Sequence, residues 1–430
     1  MKRISQKYAI GDLQHVKKQL LQWAQQFREV VFLDSNSHKA RYSSYEAVLA
    51  FDAFTLLQTD YFDAFNQLQQ YQSQTKDWLF GYLGYDLKND VEKLSSENFD
   101  GLHFPDLLFF QPKKIIFLEP GFLRFEYLPV CEDEIVSDFA EITAVNITTS
   151  HKAVLKIQDR VSFKDYTEGF NTMMNHIKRG DIYEANYCIE FFAEDADIEP
   201  EAVYWKLNAI SEPPFAAFAK FNHHYLVSAS PERYLKKTGT RVVSQPIKGT
   251  AKRGATPDED EKLKKELFTN EKERSENVMI VDLVRNDLSR TAVKASVKVE
   301  ELFGIYSFKQ VHQMISTVVS VVPENINPVE IIRSTFPMGS MTGAPKHSAM
   351  QIIEKVEKTK RGLYSGALGY FTPQDDFDFN VMIRSILYHK TSKYASFSVG
   401  SAITINANAE DEYRECLLKA AAMKKVLEGC

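Results

Sequence analysis

Two carboxylate pairs have spacings that suit chemistry: Glu273 and Glu276 in EKERSENVMIVDLVRND, and Glu412 and Glu415 in EDEYRECLLKAA. Each pair is i, i+3 inside a helical pattern, so both members share one helix face. Four carboxylates converging from two helices would make a hard-oxygen site suited to Mg²⁺, although either pair alone is equally an ordinary solvated face. Glu-x-x-His pairs are absent, which excludes a di-iron carboxylate bundle. In SQPIKGTAKRG (Ser244–Gly254), Pro, Gly and Thr read as a strand running into a tight turn, with Lys248 where a strand end would take an apolar residue. That lysine is either solvated, as most are, or held there for chemistry.

Arg384 interrupts FNVMIRSILY, an apolar stretch that reads as a buried strand. A buried guanidinium needs an anion, either an internal carboxylate or one on a ligand held in a bidentate pair. Glu232, in SASPERY, follows a strand and a proline, where side chains project from sheet edges. Gly400 in SVGSAIT either offers backbone N–H groups to an anion or marks a bulge. GSMTGAPK is no phosphate loop, because Pro345 removes a backbone donor and no Gly-Lys-Ser/Thr follows. The 10 histidines are dispersed, and no Ser/His/Asp or Cys/His arrangement stands out.

The elements that must position these residues are mostly strands. VVFLDSN, DLLFFQPKKIIFLEP, FLRFEYLPV, HHYLVSAS and YASFSVGSAITI are bounded by turn residues and alternate or run apolar. Helical periodicity marks YTEGFNTMMNHIKRG, where Phe170, Met173, Met174 and Ile177 share a face before Gly180. It returns from about Asp258 to Leu288 and from Glu410 to Leu427. Without strict β-α alternation, the fold class is α+β with mostly antiparallel sheets. The softer stretch CEDEIVSDFAEITAVNITTSHKAV is the expected connection between an N-terminal part, 1–150, and a catalytic part, 160–430, the two intertwined as one globule.

At 430 residues and 44% hydrophobic, the chain can bury a large core. A net charge of −6 with interspersed signs points to no nucleic-acid partner. MISTVVSVV is too short to span a membrane, and the basic N-terminus has no apolar signal core. Cys131, Cys188, Cys416 and Cys430 are scattered without a C-x-x-C, as reduced thiols of a cytoplasmic protein would be.

Taken together, SASPERY, SQPIKGTAKRG, ERSENVMIVDLVRNDLSR, FPMGSMTGAPKHSAM, YSGALGYF, VMIRSI and EDEYREC resemble the chorismate-utilising enzymes. That family includes the first components of anthranilate synthase and aminodeoxychorismate synthase, and the isochorismate and salicylate synthases. The motifs run in one unbroken order over about residues 160–427, and FLDSN, ARYSSYEAVLAF and GYLGYD extend the likeness more weakly to the N-terminal part. The resemblance implies two large antiparallel sheets flanked by helices, with the site between them.

It further implies Mg²⁺ held by Glu276 and Glu415, with Glu273 and Glu412 in support. Arg384 and Tyr364 would hold the enolpyruvyl carboxylate of chorismate beside backbone groups of Gly400, Ser401 and Ala402. Gly249 and Thr250 would contact the substrate, and Glu232 would protonate the departing C4 hydroxyl. Lysine at 248, where anthranilate synthases usually carry Ala, resembles the aminodeoxychorismate synthase branch, in which this amine attacks C2 before ammonia attacks C4. Ammonia would come from a separate glutamine amidotransferase subunit. Only a neutral amine is nucleophilic, so the site must desolvate Lys248 or crowd it with positive charge.

Two positions depart from the family pattern. Glu184, in GDIYEANYC, stands where aminating members commonly have Gln and water-adding members a base Lys, which disfavours isochorismate synthesis. Gln313, in VHQMIST, stands where a His is frequent, and His312, one residue earlier, falls on the opposite strand face. Family members bind tryptophan through segments matching Leu33, Asp34 and Ser35 and Pro213, Pro214 and Phe215. The alternatives are anthranilate synthase component I and a non-catalytic tryptophan-binding regulatory subunit of the same fold.

Overall fold

The computed structural model describes residues 2–38, 42, 45–148 and 154–429. Its strands form two large sheets in which the named pairings are antiparallel, sharing one long strand pair, Ala47–Thr59 with Leu107–Glu119. A register shift between Ala53 and Thr55, beside Pro112, bends that pair. A bulge re-aims the strand and proline withholds a ladder donor, so the two halves serve different sheets.

In the first sheet the outer half of the pair continues on one side to Phe122–Tyr127 and Ile4–Ala9. On the other side follow Glu29–Asp34, Phe215–Phe221, His224–Ser230, Ser385–His389, Tyr394–Thr404 and Glu184–Ala193. In the second sheet the inner half leads to Leu79–Leu83, Ala367–Phe371, Phe377–Val381, Arg233–Thr238, Arg241–Gln245 and Val311–Val321. Ile247–Lys252 and Lys298–Ser307 pair with the same Val311–Val321 strand. Strands from both ends of the chain are therefore neighbours in each sheet, as in Glu29–Asp34 with Phe215–Phe221.

Alternation divides each strand between layers. In Phe215–Phe221, Ala217, Ala219 and Phe221 join the core between the sheets, while Ala216 and Phe218 face helices outside. Helices Leu13–Ala24, Glu134–Ala144, Phe163–Arg179, Pro200–Ser211, Lys346–Val356 and Ala409–Glu428 cover the outer face of the first sheet. Ala64–Thr75, Glu271–Ser289 and Pro328–Thr335 cover the second.

The helix Phe163–Arg179 buries Phe170, Met173, Met174 and Ile177 and ends at left-handed Gly180, as its periodicity predicts. The expected helix from Asp258 to Leu288 is two, Pro257–Thr269 and Glu271–Ser289, because Asn270 leaves the helical region and its side chain caps the second through the Glu273 N–H. The expected soft connection after Val130 is instead largely the helix Glu134–Ala144, whose Ile135 and Ile142 are buried. Residues 149–153 of that stretch, and Cys430, lie outside the described residues. Cys131, Cys188 and Cys416 are free and buried. Among the described residues no helix is long and apolar enough to cross a membrane.

Candidate functional site

Two segments cross between the sheets side by side. Ser230–Arg233 leaves the first sheet for the second, and Val381–Ser385 returns. Ser230 Oγ donates to the Val381 carbonyl at 2.6 Å, Val381 N–H to the Glu232 carbonyl at 3.0 Å, and Ala229 N–H to the Arg384 carbonyl at 3.0 Å. Glu232 rides the first crossing and Arg384 the second.

Arg384 is not inside a strand, as FNVMIRSILY predicts. One strand ends at Val381, the next begins at Ser385, and Arg384 adopts φ 50°, in the left-handed region. Its guanidinium has no hydrogen bond or ion pair among the described residues, and burial alone pulls its pKa down. The internal carboxylate partner that the sequence left open is thus absent, and a largely buried guanidinium without an acceptor remains costly until an anion meets it. Glu232 is 4% exposed. Burial pushes its pKa up to about 7, against a hydrogen bond with Ser340 and the charge of Lys248. A carboxyl so poised can donate a proton near neutrality.

Lys248 lies within the strand Ile247–Lys252, whose register shifts between Ile247 and Thr250, so the expected tight turn is a bulged strand. Its Nζ donates to Glu184 Oε1 at 2.8 Å, with side-chain exposures of 12% and 3%. Burial pushes the Lys248 ammonium towards losing its proton, but the Glu184 carboxylate, with Glu276 and Glu415 beyond it, outweighs burial and raises the pKa. The lysine is desolvated as expected, yet its surroundings are negative rather than positive. The Lys248 carbonyl accepts from Asn277 Nδ2 at 3.4 Å. Gly249 has φ 97°, and a Cβ there would lie 3.2 Å from Glu273 Oε2 and from Met314 Cβ. Only glycine allows this strand to lie against the acidic helix. Thr250 is exposed and opposite Gln313.

Helices Glu271–Ser289 and Ala409–Glu428 start at Asn270 and Asn408, whose side chains accept from first-turn N–H groups. Their early turns carry the two acidic pairs. Lys272 Nζ lies 3.4 Å from Glu412 Oε1 and 3.9 Å from Glu276 Oε1, so it joins the two helices. Burial raises Glu276 to about 7, with Lys248 and Lys272 opposing, and raises Glu273 and Glu412, with the Glu415 charge adding to both. Burial also acts on Glu415, but Lys419 Nζ at 2.7 Å outweighs it and holds that carboxyl low. No group of three or more His, Cys, Asp or Glu among the described residues is arranged to hold a metal ion. The four carboxylates therefore face one another across Lys272 without closing into a cage. Hard oxygens under mutual repulsion suit a divalent cation that also takes ligands from a substrate.

Gly400, Ser401 and Ala402 lie inside the strand Tyr394–Thr404, as the apolar run YASFSVGSAITI predicts, opposite Cys188, Tyr187 and Asn186. A Cβ on Gly400 would lie 2.5 Å from Asn186 Oδ1 and 2.7 Å from Cys188 Sγ, which explains the glycine. Its carbonyl accepts from Lys419 Nζ at 2.9 Å, and Ser401 Oγ meets Tyr166 Oη at 3.1 Å. Along Tyr394–Thr404, the neighbouring strand Ser385–His389 reaches only Tyr394–Ser396, so beyond Ser396 no strand pairs with that edge among the described residues. Tyr364 is buried, with Cys188 Sγ donating to its hydroxyl at 3.9 Å.

Gln313 is buried and its Oε1 has no hydrogen-bond partner among the described residues. His312 is engaged with Ser307 Oγ at 2.8 Å and Asp260 Oδ1 at 2.9 Å, and so is committed to the helix Pro257–Thr269. Leu33, Asp34, Ser35, Pro214 and Phe215 meet around an inter-sheet cavity of about 220 Å³. Pro213 lies beside that lining, its carbonyl accepting from Asn36 Nδ2 at 2.8 Å. Sequence reasoning missed Lys272, Asn277, Ser340 and Lys419. The i, i+4 spacing of Glu415 and Lys419 was the available signal for one of them.

The fold and the site define a two-sheet α+β enzyme whose charged groups gather where the chain crosses between sheets. The sequence profile of the family described as chorismate binding enzyme matches residues 22–425, and the chain belongs to that family. It is 35% identical over 373 residues to the chloroplastic aminodeoxychorismate synthase of Arabidopsis thaliana, covering 81% of this chain but only 40% of that protein. It is 32% identical over 361 residues to aminodeoxychorismate synthase component 1 of Bacillus subtilis, covering 81% and 76%. Its fold matches the crystal structure of anthranilate synthase component I from Streptococcus pneumoniae with a TM-score of 0.78 at 22% identity, covering 90% and 94%.

Proposed function

We propose that this chain aminates chorismate at C4 to give 4-amino-4-deoxychorismate, for para-aminobenzoate and folate synthesis in the cytoplasm. A separate glutamine amidotransferase subunit would supply the ammonia. The observation that carries the reading is Lys248, desolvated on a bulged strand between Glu184 and the two acidic helices. The names of the Arabidopsis and Bacillus relatives support it.

Arg384, with Tyr364 and the backbone of Gly400, Ser401 and Ala402, would take the enolpyruvyl carboxylate, and Gly249 and Thr250 would flank the ring. Lys248 Nζ would form a bond to C2 while the C4–oxygen bond breaks, and the departing hydroxyl would leave as water with the Glu232 proton. Ammonia would then bond to C4 as the C2–nitrogen bond breaks, its electron pair returning to Lys248. Glu276 and Glu415, supported by Glu273 and Glu412, would hold a Mg²⁺ that neutralises the ring carboxylate. The inter-sheet cavity beside Ser35, Pro214 and Phe215, with Pro213 next to it, would take tryptophan.

The test is incubation with chorismate, Mg²⁺ and ammonium, with products read by mass. A product that keeps the enolpyruvyl group and gains an amine supports the reading. Anthranilate, an aromatic and fluorescent amine, would instead favour the first component of anthranilate synthase, whose fold this chain shares. No chorismate turnover would leave a non-catalytic tryptophan-binding subunit.

A further inference from the structure

Lys248 has one carboxylate within ion-pair distance among the described residues, and it comes from the other sheet. Glu184 opens the strand Glu184–Ala193, with its backbone opposite Thr404 on one side and Ala344 on the other. The approach on the Ala344 side is so close that a Cβ on Gly343 would meet the Glu184 carbonyl at 2.1 Å. The carboxylate is therefore fixed from behind, with Oε1 on Lys248 Nζ at 2.8 Å. Its second oxygen, Oε2, is buried and accepts no hydrogen bond from the described residues.

An ammonium cannot attack carbon, so a nucleophilic Lys248 must first lose a proton. Solvent is a poor acceptor for a side chain 12% exposed. Glu276 and Glu415 face the lysine from their helices, and Glu273 and Glu232 also feel its charge, but none of these is in contact with Nζ. Moving the proton across the 2.8 Å contact turns two buried charges into two neutral groups.

We propose that Glu184 is the catalytic base that takes the proton from the Lys248 ammonium before the amine attacks C2. The proton stays on Glu184 while nitrogen bonds to C2, and returns to Lys248 when the C2–nitrogen bond breaks and the amine is released. Glu232 separately supplies the proton that leaves in water and is recharged from solvent, so the cycle closes without another reactant. This rests on the amination reading above. The carboxylate at this position, where family members that aminate commonly have glutamine, is then matched to the lysine rather than to water.

The test is intact-mass measurement of the rate of adduct formation with chorismate and Mg²⁺, without ammonia, from about pH 6 to about pH 10. Wild type, Glu184→Gln and Glu184→Asp are compared, with chorismate binding measured on each. The expected result for Glu184→Gln is retained binding and an adduct rate near pH 7 reduced about 100-fold. That rate should climb towards wild type as the pH nears about 10, where bulk water removes the proton. Glu184→Asp should keep part of the neutral-pH rate. Glu184→Gln forming adduct at the wild-type rate at every pH, or failing at every pH with binding intact, overturns the assignment. Absence of any wild-type adduct would instead sink the nucleophilic lysine itself, and the two failures are told apart by the wild-type arm.

Discussion

In the proposed reaction Glu232 would tie stability and activity to one proton. Its carboxyl is 4% exposed, and burial raises its pKa from an ordinary 4.5 to about 7. A folded-state pKa above the unfolded one means that the folded protein holds the proton more tightly. Stability is therefore greatest below about pH 4.5, falls as the pH rises through the interval, and levels off above about pH 7. The full loss, with the group ionised in both states, is about 3 kcal/mol. Glu232→Gln keeps the shape and an acceptor for the Ser340 hydroxyl but cannot ionise. The variant should unfold within about a degree of wild type near pH 5 and about 4 °C above it near pH 8, given the unfolding entropy of a chain this long. Chorismate turnover should meanwhile fall by about 100-fold or more, since the departing hydroxyl loses its proton donor. Thermal unfolding at the two pH values, run beside a product assay, reads both effects. Parallel wild-type and variant melting curves at all pH would refute the buried-acid reasoning, and a variant at full rate would refute the donor role.

The other site residues make separate demands. Glu276→Ala or Glu415→Ala should cut activity by about 100-fold or more while the fold survives, because each removes a hard oxygen from a charge-rich face. Near-normal turnover at limiting Mg²⁺ would dismiss the two-helix site. Arg384→Lys should raise the chorismate KM by about 10-fold or more, since a point charge cannot reproduce a bidentate fork, and an unchanged KM would demote the residue to a structural role. Lys248→Ala should bind chorismate yet lose ammonia-dependent amination by about 100-fold and form no covalent adduct. Full activity in that variant would return Lys248 to an ordinary buried cation.

Local spacing made the acidic pairs and the helix Phe163–Arg179 legible, because i, i+3 and i, i+4 relations are written directly in the chain. Arg384 was misread as mid-strand because two strands of different sheets, ending at Val381 and starting at Ser385, give the same apolar string as one. Helix Glu134–Ala144 was hidden because the acidic Asp138 shares the buried side with Ile135 and Ile142, which are seven residues apart, and blurs the apolar stripe. Gly400 suggested an anion-facing backbone or a bulge, but it answers to Asn186 and Cys188 on the neighbouring strand, which no local pattern announces. The Lys248–Glu184 contact joins residues 64 positions apart on different sheets and could not be read from either motif.

What the site shares is charge that the fold alone leaves poorly compensated. Arg384 is largely buried with no acceptor among the described residues, and the acidic pairs on facing helices meet across Lys272. Elsewhere in the same protein buried charges are matched: Lys17 with Asp34 at 2.8 Å, Lys346 with Asp287 at 2.6 Å, and Arg361 with Glu357 at 2.6 Å. The contrast is informative because one chain and one packing regime produce both outcomes. Those three ion pairs are complete, although Asp34 Oδ2 and Asp287 Oδ1 have no hydrogen bond of their own among the described residues. Where the sheets exchange strands, the guanidinium and the facing carboxylates leave charge that, in the proposed reaction, an anionic substrate and a hard cation would complete.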